Sequence, residues 1–170
     1  AILNSANLED GDERFSRVAG LARRFGAAVV VGTIDERGMA VSLDRKLEVA
    51  RRSFRILTDE HGIRPEDIWW DTLVFPCPTG DEQYLGAAGL TLAGIPTLKE
   101  EFPGTRTLLG VSNVSFGLPT AGREVLNAVF LYRATKLGLD AARVQDRIEE
   151  YLVQLGQLVV DVLDHQSPRR

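Results

Sequence analysis

Polar side chains close four successive strand-like runs of this sequence, and their chemical types suit the binding of a polar ligand. In chain order they are Asn4, Ser5, Asp35, Asp71, Ser112 and Asn113. A buried carboxylate or amide costs free energy unless it is hydrogen-bonded. Helix caps and turns also favour Asn, Asp and Ser, but the repetition over four runs favours a binding site. A carboxylate can accept two parallel hydrogen bonds, and an Asn both donates and accepts, so the set fits the edge of a planar heterocycle.

The elements that would position these residues alternate between strands and helices. The run AAVVVGTI, residues 27–34, is typical of a strand that is buried on both faces. The spacing of Phe15, Ala22 and Phe25 indicates an amphipathic helix, which Gly26 would end. Such alternation predicts βαβ units and a parallel sheet, in a doubly wound fold or a (β/α) barrel. In both folds, ligands bind at the carboxyl ends of the strands.

The same patterns predict approximate bounds for each element. Strands are expected at residues 1–8, 27–34, 68–75 and 105–113, with a weaker candidate at 139–144. Helices are expected at residues 15–25, 43–57, 84–98, 126–137 and 145–164. Residues 35–42 are expected to form a loop, and Pro96 to kink or end the third helix. No Gly-x-Gly-x-x-Gly follows a strand, so the dinucleotide-binding fingerprint is missing.

Composition excludes several classes of function. The 170 residues carry a net charge of −4, which argues against binding to a nucleic-acid backbone. A single cysteine, Cys77, allows no internal disulfide, and His61 and His165 are too far apart for a local metal motif. No apolar run is long enough to cross a membrane. We therefore expect no bound metal, no nucleic acid, no membrane contact and a cytoplasmic location.

Six stretches of the sequence resemble, in order and spacing, the methyltetrahydrofolate-binding domain of cobalamin-dependent methionine synthase. They are ILNSANLEDGDERF, GAAVVVGTIDERGMA, RKLEVARRSFRILTDEHGIRPEDIWWD, TGDEQ, GVSNVSFGL and REVLNAVFLYRATKLGLD. The resemblance runs from about residue 2 to residue 140. A wider pterin-binding group, which includes dihydropteroate synthase, shares the fold but fewer of these sequence motifs.

The resemblance implies a TIM-type (β/α)8 barrel, of which this chain would supply strands four to seven or eight. Residues 1–144 would form this partial barrel, and residues 145–170 a C-terminal amphipathic helix and tail. The family's early strands, with another pterin-binding Asp, do not match anything here. Because half a barrel exposes sheet edges, we expect the isolated chain to oligomerise or aggregate and to bind folate poorly.

Individual residues acquire roles from the same resemblance. Asn4, in the family's Asn-Ser motif, would hydrogen-bond the pterin ring, and Asp71 would accept from the pterin's N–H and amino groups. Gly110, Ser112 and Asn113 match a Gly-x-Ser-Asn motif whose Asn lies near N5 of the folate. The family departs from this chain after Asp71, where it often has Pro-Asn and here Thr-Leu follows.

The implied activity is transfer of the N5 methyl group to cob(I)alamin, which another domain would hold, during homocysteine methylation. Because a tertiary amine leaves poorly, N5 must gain a proton or a strong hydrogen bond, and Asn113 would stabilise the protonated N5 while water relays the proton. Two alternatives stay open. One is a dihydropteroate synthase-like transferase, which would need a Lys and an Arg-His phosphate site near the final strands. The other is a non-catalytic fragment that serves as an interaction module.

Overall fold

A computed structural model of the chain describes residues 1–143. The helix predicted at residues 145–164, and with it the proposed C-terminal segment 145–170, lies outside the described residues. No helix within residues 1–143 is both long and apolar enough to span a membrane.

The described residues form six strands and four α-helices. The strands are β1 (Ile2–Leu8), β2 (Ala28–Asp35), β3 (Gly38–Met39), β4 (Ile68–Asp71), β5 (Arg106–Gly110) and β6 (Ala141–Arg143). The helices are α1 (Gly11–Phe25), α2 (Leu43–Arg55), α3 (Ala87–Glu101) and α4 (Thr120–Lys136). Helix α2 continues into a wider π-type turn, Ile56–Glu60.

Five of the strands form one parallel sheet in the order β1-β2-β4-β5-β6, and β3 is added antiparallel to β2. Along the parallel strands the spatial order is the chain order. A doubly wound sheet reverses its strand order at a switch point, whereas strands of a (β/α) barrel follow one another in a single direction. The described strands contain no reversal, so the arrangement is that of part of a TIM-type barrel.

The helices form where the sequence pattern places them. In α1, Phe15, Ala19 and Ala22 are buried at helical spacing. Gly26 follows in the left-handed conformation, with φ of 60°, and its N–H donates to the carbonyl of Ala22. At the start of α2, the Ser42 side chain accepts a hydrogen bond from the backbone N–H of Arg45, 3.4 Å away.

Two apolar clusters hold these layers together. The larger one joins α1 and α2 to the sheet through residues such as Leu8, Val31 and Trp70. The Trp70 indole is fully buried and donates a hydrogen bond to the Thr105 hydroxyl, 3.0 Å away. The second cluster lies between α3, α4 and β5 and includes Ile95 and other apolar side chains. The second cluster also includes Val74, Val111 and Val114, which follow the carboxyl ends of β4 and β5.

Several elements differ from the expected bounds, and among the helices α1 begins at Gly11 and α4 at Thr120, both earlier than expected. Strand β4 ends at Asp71 rather than residue 75, and β5 ends at Gly110, where the turn Val111–Ser115 begins. The chain leaves β4 early because the N–H of Leu73 turns back to the Asp71 carboxylate. The expected loop 35–42 contains the short strand β3, and α3 passes through Pro96 to Glu101.

Candidate functional site

A cavity of about 410 Å³ opens at the carboxyl ends of β4, β5 and β6. Its lining residues are Met39, Asp71, Leu73, Val74, Gly110, Ser112, Asn113, Phe116, Arg123 and Arg143. Its volume falls within the roughly 300–1,000 Å³ typical of small-molecule sites. Four of the residues that the sequence suggested as ligand contacts therefore meet here: Asp71, Gly110, Ser112 and Asn113.

Asp71 is the acidic side chain in the lining. One of its carboxylate oxygens, Oδ1, accepts a hydrogen bond from the N–H of Leu73, 2.9 Å away. Burial raises the pKa of the Asp71 carboxyl, while the Leu73 N–H and the positive charges of Arg143 and Lys46 act in the opposite direction. A carboxylate in this setting gains free energy when ligand N–H groups replace the water it has lost.

Asn113 lies on the turn that follows β5 and is exposed at the cavity. Its side-chain amide donates a hydrogen bond to the backbone carbonyl of Val74, in the segment that follows β4. Ser112, next to it, is buried, and its carbonyl accepts from the Arg123 guanidinium at 3.4 Å. The turn is thereby joined both to the neighbouring strand end and to α4, which fixes one wall of the cavity.

The other three predicted site residues lie away from this cavity. Asp35 is buried at the end of β2, where it pairs with Arg45 at 2.6 Å and accepts from the N–H of Arg37 at 2.9 Å. Asn4 and Ser5 are exposed within β1, which is separated from β4 by β2. Ser5 lines a smaller cavity of about 90 Å³. Their contact with a ligand stays a prediction.

Lys46 is a feature that the sequence reasoning missed. It is fully buried on α2, and its ammonium group donates to the carbonyls of Ala40, at 2.7 Å, and Thr72, at 2.5 Å. Burial lowers the pKa of Lys46 to about 8, and the nearby charge of Asp71 acts in the opposite direction. A signal was present in the sequence, because Lys46 shares a helix face with the buried Val49 and Ser53.

Apolar and cationic side chains complete the lining. Met39, on β3, and Phe116, after the Val111–Ser115 turn, are both more than half exposed, at 52% and 61%. An aromatic face of this kind can stack on a planar ring. Arg143 lies on β6, where it pairs in register with Gly110, and Arg123 projects from α4. Among the lining residues described, there is no histidine, cysteine or lysine side chain.

The described residues offer no evident metal centre. Within residues 1–143, no group of three or more His, Cys, Asp and Glu side chains is placed so that it could hold a metal ion. The cavity lining likewise provides no imidazole or thiolate to ligate a cobalt ion. Its carboxylate and amide can hydrogen-bond the edge of a heterocycle, its apolar groups can pack against the ring, and Arg123 and Arg143 add positive charge.

Comparison with known proteins places the whole described region in one family. A model of the family described as "Pterin binding enzyme" matches residues 1–145. The chain is 43% identical to methionine synthase of Mycobacterium tuberculosis over 145 residues, which cover 84% of this chain and 12% of that protein. It is 42% identical to methionine synthase of Mycobacterium leprae over 146 residues, again 84% of this chain and 12% of the relative. The chain thus spans a small part of the curated relatives it matches.

Proposed function

The chain belongs to the pterin-binding enzyme family, and on that premise we propose that its cavity binds methyltetrahydrofolate. We further propose that it supports transfer of the N5 methyl group to cob(I)alamin, held by another domain, as part of a cytoplasmic, cobalamin-dependent methionine synthase. The observation that carries the proposal is the meeting of Asp71 with Gly110, Ser112 and Asn113 around one cavity.

Asp71 would recognise the pterin ring. A pterin presents a ring N–H beside an exocyclic amine, and one carboxylate can accept from both in parallel. One Asp71 oxygen is already oriented by the N–H of Leu73, which fixes the plane of the carboxylate before the ligand arrives. Such preorganisation lowers the entropy cost of binding.

Asn113 would act on the reacting nitrogen. One N–H of its NH2 group donates to the Val74 carbonyl, which leaves the amide oxygen able to accept a hydrogen bond from a ligand. An amide oxygen accepts a hydrogen bond from a protonated amine, and this interaction strengthens as positive charge develops at N5. Asn113 would therefore stabilise the protonated N5 from which the methyl group departs, while solvent supplies the proton.

Phe116 and Met39 would enclose the faces of the ring. Both side chains are exposed at the rim although they are apolar, and their burial against a flat ligand would be favourable. The methyl acceptor would approach the cavity from outside, because another domain would hold it. The dihydropteroate synthase-like alternative needs a lysine and an Arg-His pair. The described lining contains two arginines but neither a lysine nor a histidine.

Calorimetric titration of the full-length protein with methyltetrahydrofolate tests the binding step. We expect a single site per chain, with competition by pterin compounds that lack the glutamate tail. A single-turnover assay with cob(I)alamin then tests methyl transfer. A folded protein that shows no heat and no competition would contradict the proposal and leave an interaction module as the better description.

A further inference from the structure

Lys46 occupies a place where packing alone would favour an apolar side chain. It is fully buried, and its charged group lies among α2, the residues after β3 and the end of β4. A buried ammonium is costly even when it is hydrogen-bonded. Its hydrogen-bond partners are the backbone carbonyls of Ala40 and Thr72, and it also lies over the ring of Phe75, 5.2 Å from the centroid. The second of these carbonyls belongs to the residue directly after Asp71.

The backbone that Lys46 contacts has an unfavourable conformation. Leu73 has a φ of 61°, in the left-handed region that a leucine rarely adopts. Such a conformation persists only when surrounding contacts determine it. Three hydrogen bonds provide such contacts here. The Lys46 ammonium donates to the Thr72 carbonyl, and the Thr91 hydroxyl donates to the Leu73 carbonyl at 2.7 Å. The Leu73 N–H donates to the Asp71 carboxylate.

We propose that Lys46 is a positioning residue that holds residues 71–73 in the conformation that presents the Asp71 carboxylate to the cavity. What Asp71 then binds rests on the proposed function. Without the ammonium group, the Thr72 carbonyl loses its donor, and Leu73 relaxes towards an ordinary conformation. That movement breaks the hydrogen bond from the Leu73 N–H to Asp71. The Asp71 carboxylate then loses its fixed direction.

Charge and packing both support this role. The positive charge of Lys46 counteracts the rise that burial causes in the pKa of Asp71, and the charge of Asp71 counteracts the fall in the pKa of Lys46. The aliphatic part of Lys46 passes close to Gly94 of α3, where a Cβ, if present, would lie 3.6 Å from Lys46 Cδ and 3.1 Å from Thr72 Cγ2. A glycine at this position therefore leaves room for both Lys46 and Thr72.

A double-mutant cycle in the full-length protein tests the proposal. Lys46→Met, Asp71→Asn and the double variant are titrated with methyltetrahydrofolate. We expect Lys46→Met to raise Kd roughly 10- to 100-fold, the range found where a second residue orients a metal ligand. Because Lys46 acts through Asp71, the double variant should bind no worse than Asp71→Asn alone.

Val49→Ala is the matched control, because Val49 is buried on the same helix and packs in the apolar core. It should lower stability while its effect on Kd adds to that of Asp71→Asn. If Lys46→Met does not fold, Lys46→Gln replaces it, since the amide keeps a donor on a shorter side chain. Additive effects of Lys46 and Asp71 would overturn the proposal.

A measurement without ligand separates this inference from the proposed function. Amide hydrogen exchange at Leu73, followed by NMR, should accelerate in Lys46→Met but not in Val49→Ala, because the Leu73 N–H then loses Asp71. If the wild-type protein fails to bind folate while this exchange still depends on Lys46, the proposed function falls and the positioning role stands. If exchange at Leu73 is the same in both variants, the positioning role is overturned.

Discussion

The side-chain amide of Asn113 donates a hydrogen bond to the backbone carbonyl of Val74 and thereby joins the two strand ends that enclose the cavity. One of these residues follows β5 and the other follows β4. The contact orients the Asn113 amide, because one N–H is engaged with Val74 while the amide oxygen can still accept a hydrogen bond from a ligand. An amide that is oriented before the ligand arrives needs no reorganisation during the reaction.

Asn113→Ala should slow methyl transfer more than it weakens binding. Interactions that strengthen only in the transition state raise the rate without greatly changing ground-state affinity. We expect a fall of roughly 10²–10³ in the single-turnover rate, the range for loss of one preorganised polar group. Calorimetry on the same variant should show a much smaller change in Kd. If rate and affinity fall together, Asn113 is a binding residue alone.

Asp71→Asn should weaken folate binding with little change in shape. The substitution replaces an acceptor oxygen with a donor, so one ligand N–H loses its partner. The expected cost is about 1.5–3 kcal/mol, as for a hydrogen bond to a charged group. Calorimetric titration at a fixed pH measures it. An unchanged affinity would remove Asp71 from the site.

Asp35→Asn is the natural comparison, because Asp35 ends β2 much as Asp71 ends β4. Its carboxylate is already paired with Arg45, at 2.6 Å, and with Arg37. We therefore expect the change to lower stability while affinity for methyltetrahydrofolate changes less than in Asp71→Asn. A larger loss of affinity in Asp35→Asn would show that the strand-end pattern was the better guide to the site than the cavity.

The sequence predicted the order of elements well, because apolar periodicity depends on local spacing. It also led to Asp71 and Asn113, since polar residues at buried strand ends are unusual and matched a family motif. It did not show that the Asp35 carboxylate pairs with Arg45, because the start of α2 brings Arg45 to Asp35 only in the folded chain. It also missed Lys46, because most helical lysines are solvent-exposed, although this one shares a helix face with the buried Val49 and Ser53.

Stability should rise at alkaline pH through Lys46. Its pKa falls from 10.5 to about 8 on folding, chiefly because of burial. Below about pH 8, Lys46 is charged in both the folded and the unfolded chain, so folding bears the full cost of burying the charge. Between about pH 8 and 10.5 the unfolded chain binds more protons than the folded one, so the free energy of unfolding rises with pH. The shift corresponds to roughly 3 kcal/mol in total.

Urea unfolding of the wild type and of Lys46→Met across this pH range isolates the effect. Other groups titrate at alkaline pH in both proteins, so the difference between the two curves reports Lys46. We expect that difference to grow in favour of the wild type as pH rises. Parallel curves would show that the ammonium group is not desolvated as its buried position indicates.

Gly94→Ala should destabilise the protein, whereas Gly89→Ala, on the same helix, should not. A Cβ at Gly94 would lie 3.1 Å from Thr72 Cγ2, closer than ordinary packing allows, while a Cβ at Gly89 would meet nothing within 4 Å. Overpacking of this kind costs about 1–3 kcal/mol, and alanine in place of an exposed helical glycine gains roughly 0.5–1 kcal/mol. Urea unfolding should therefore show a lower free energy of unfolding for Gly94→Ala and a higher one for Gly89→Ala.

Because the displaced residue is Thr72, Gly94→Ala should also weaken folate binding through Asp71. Equal stabilisation by both alanines would show that Thr72 and Lys46 have room to move, and that the end of β4 is less constrained than its contacts indicate.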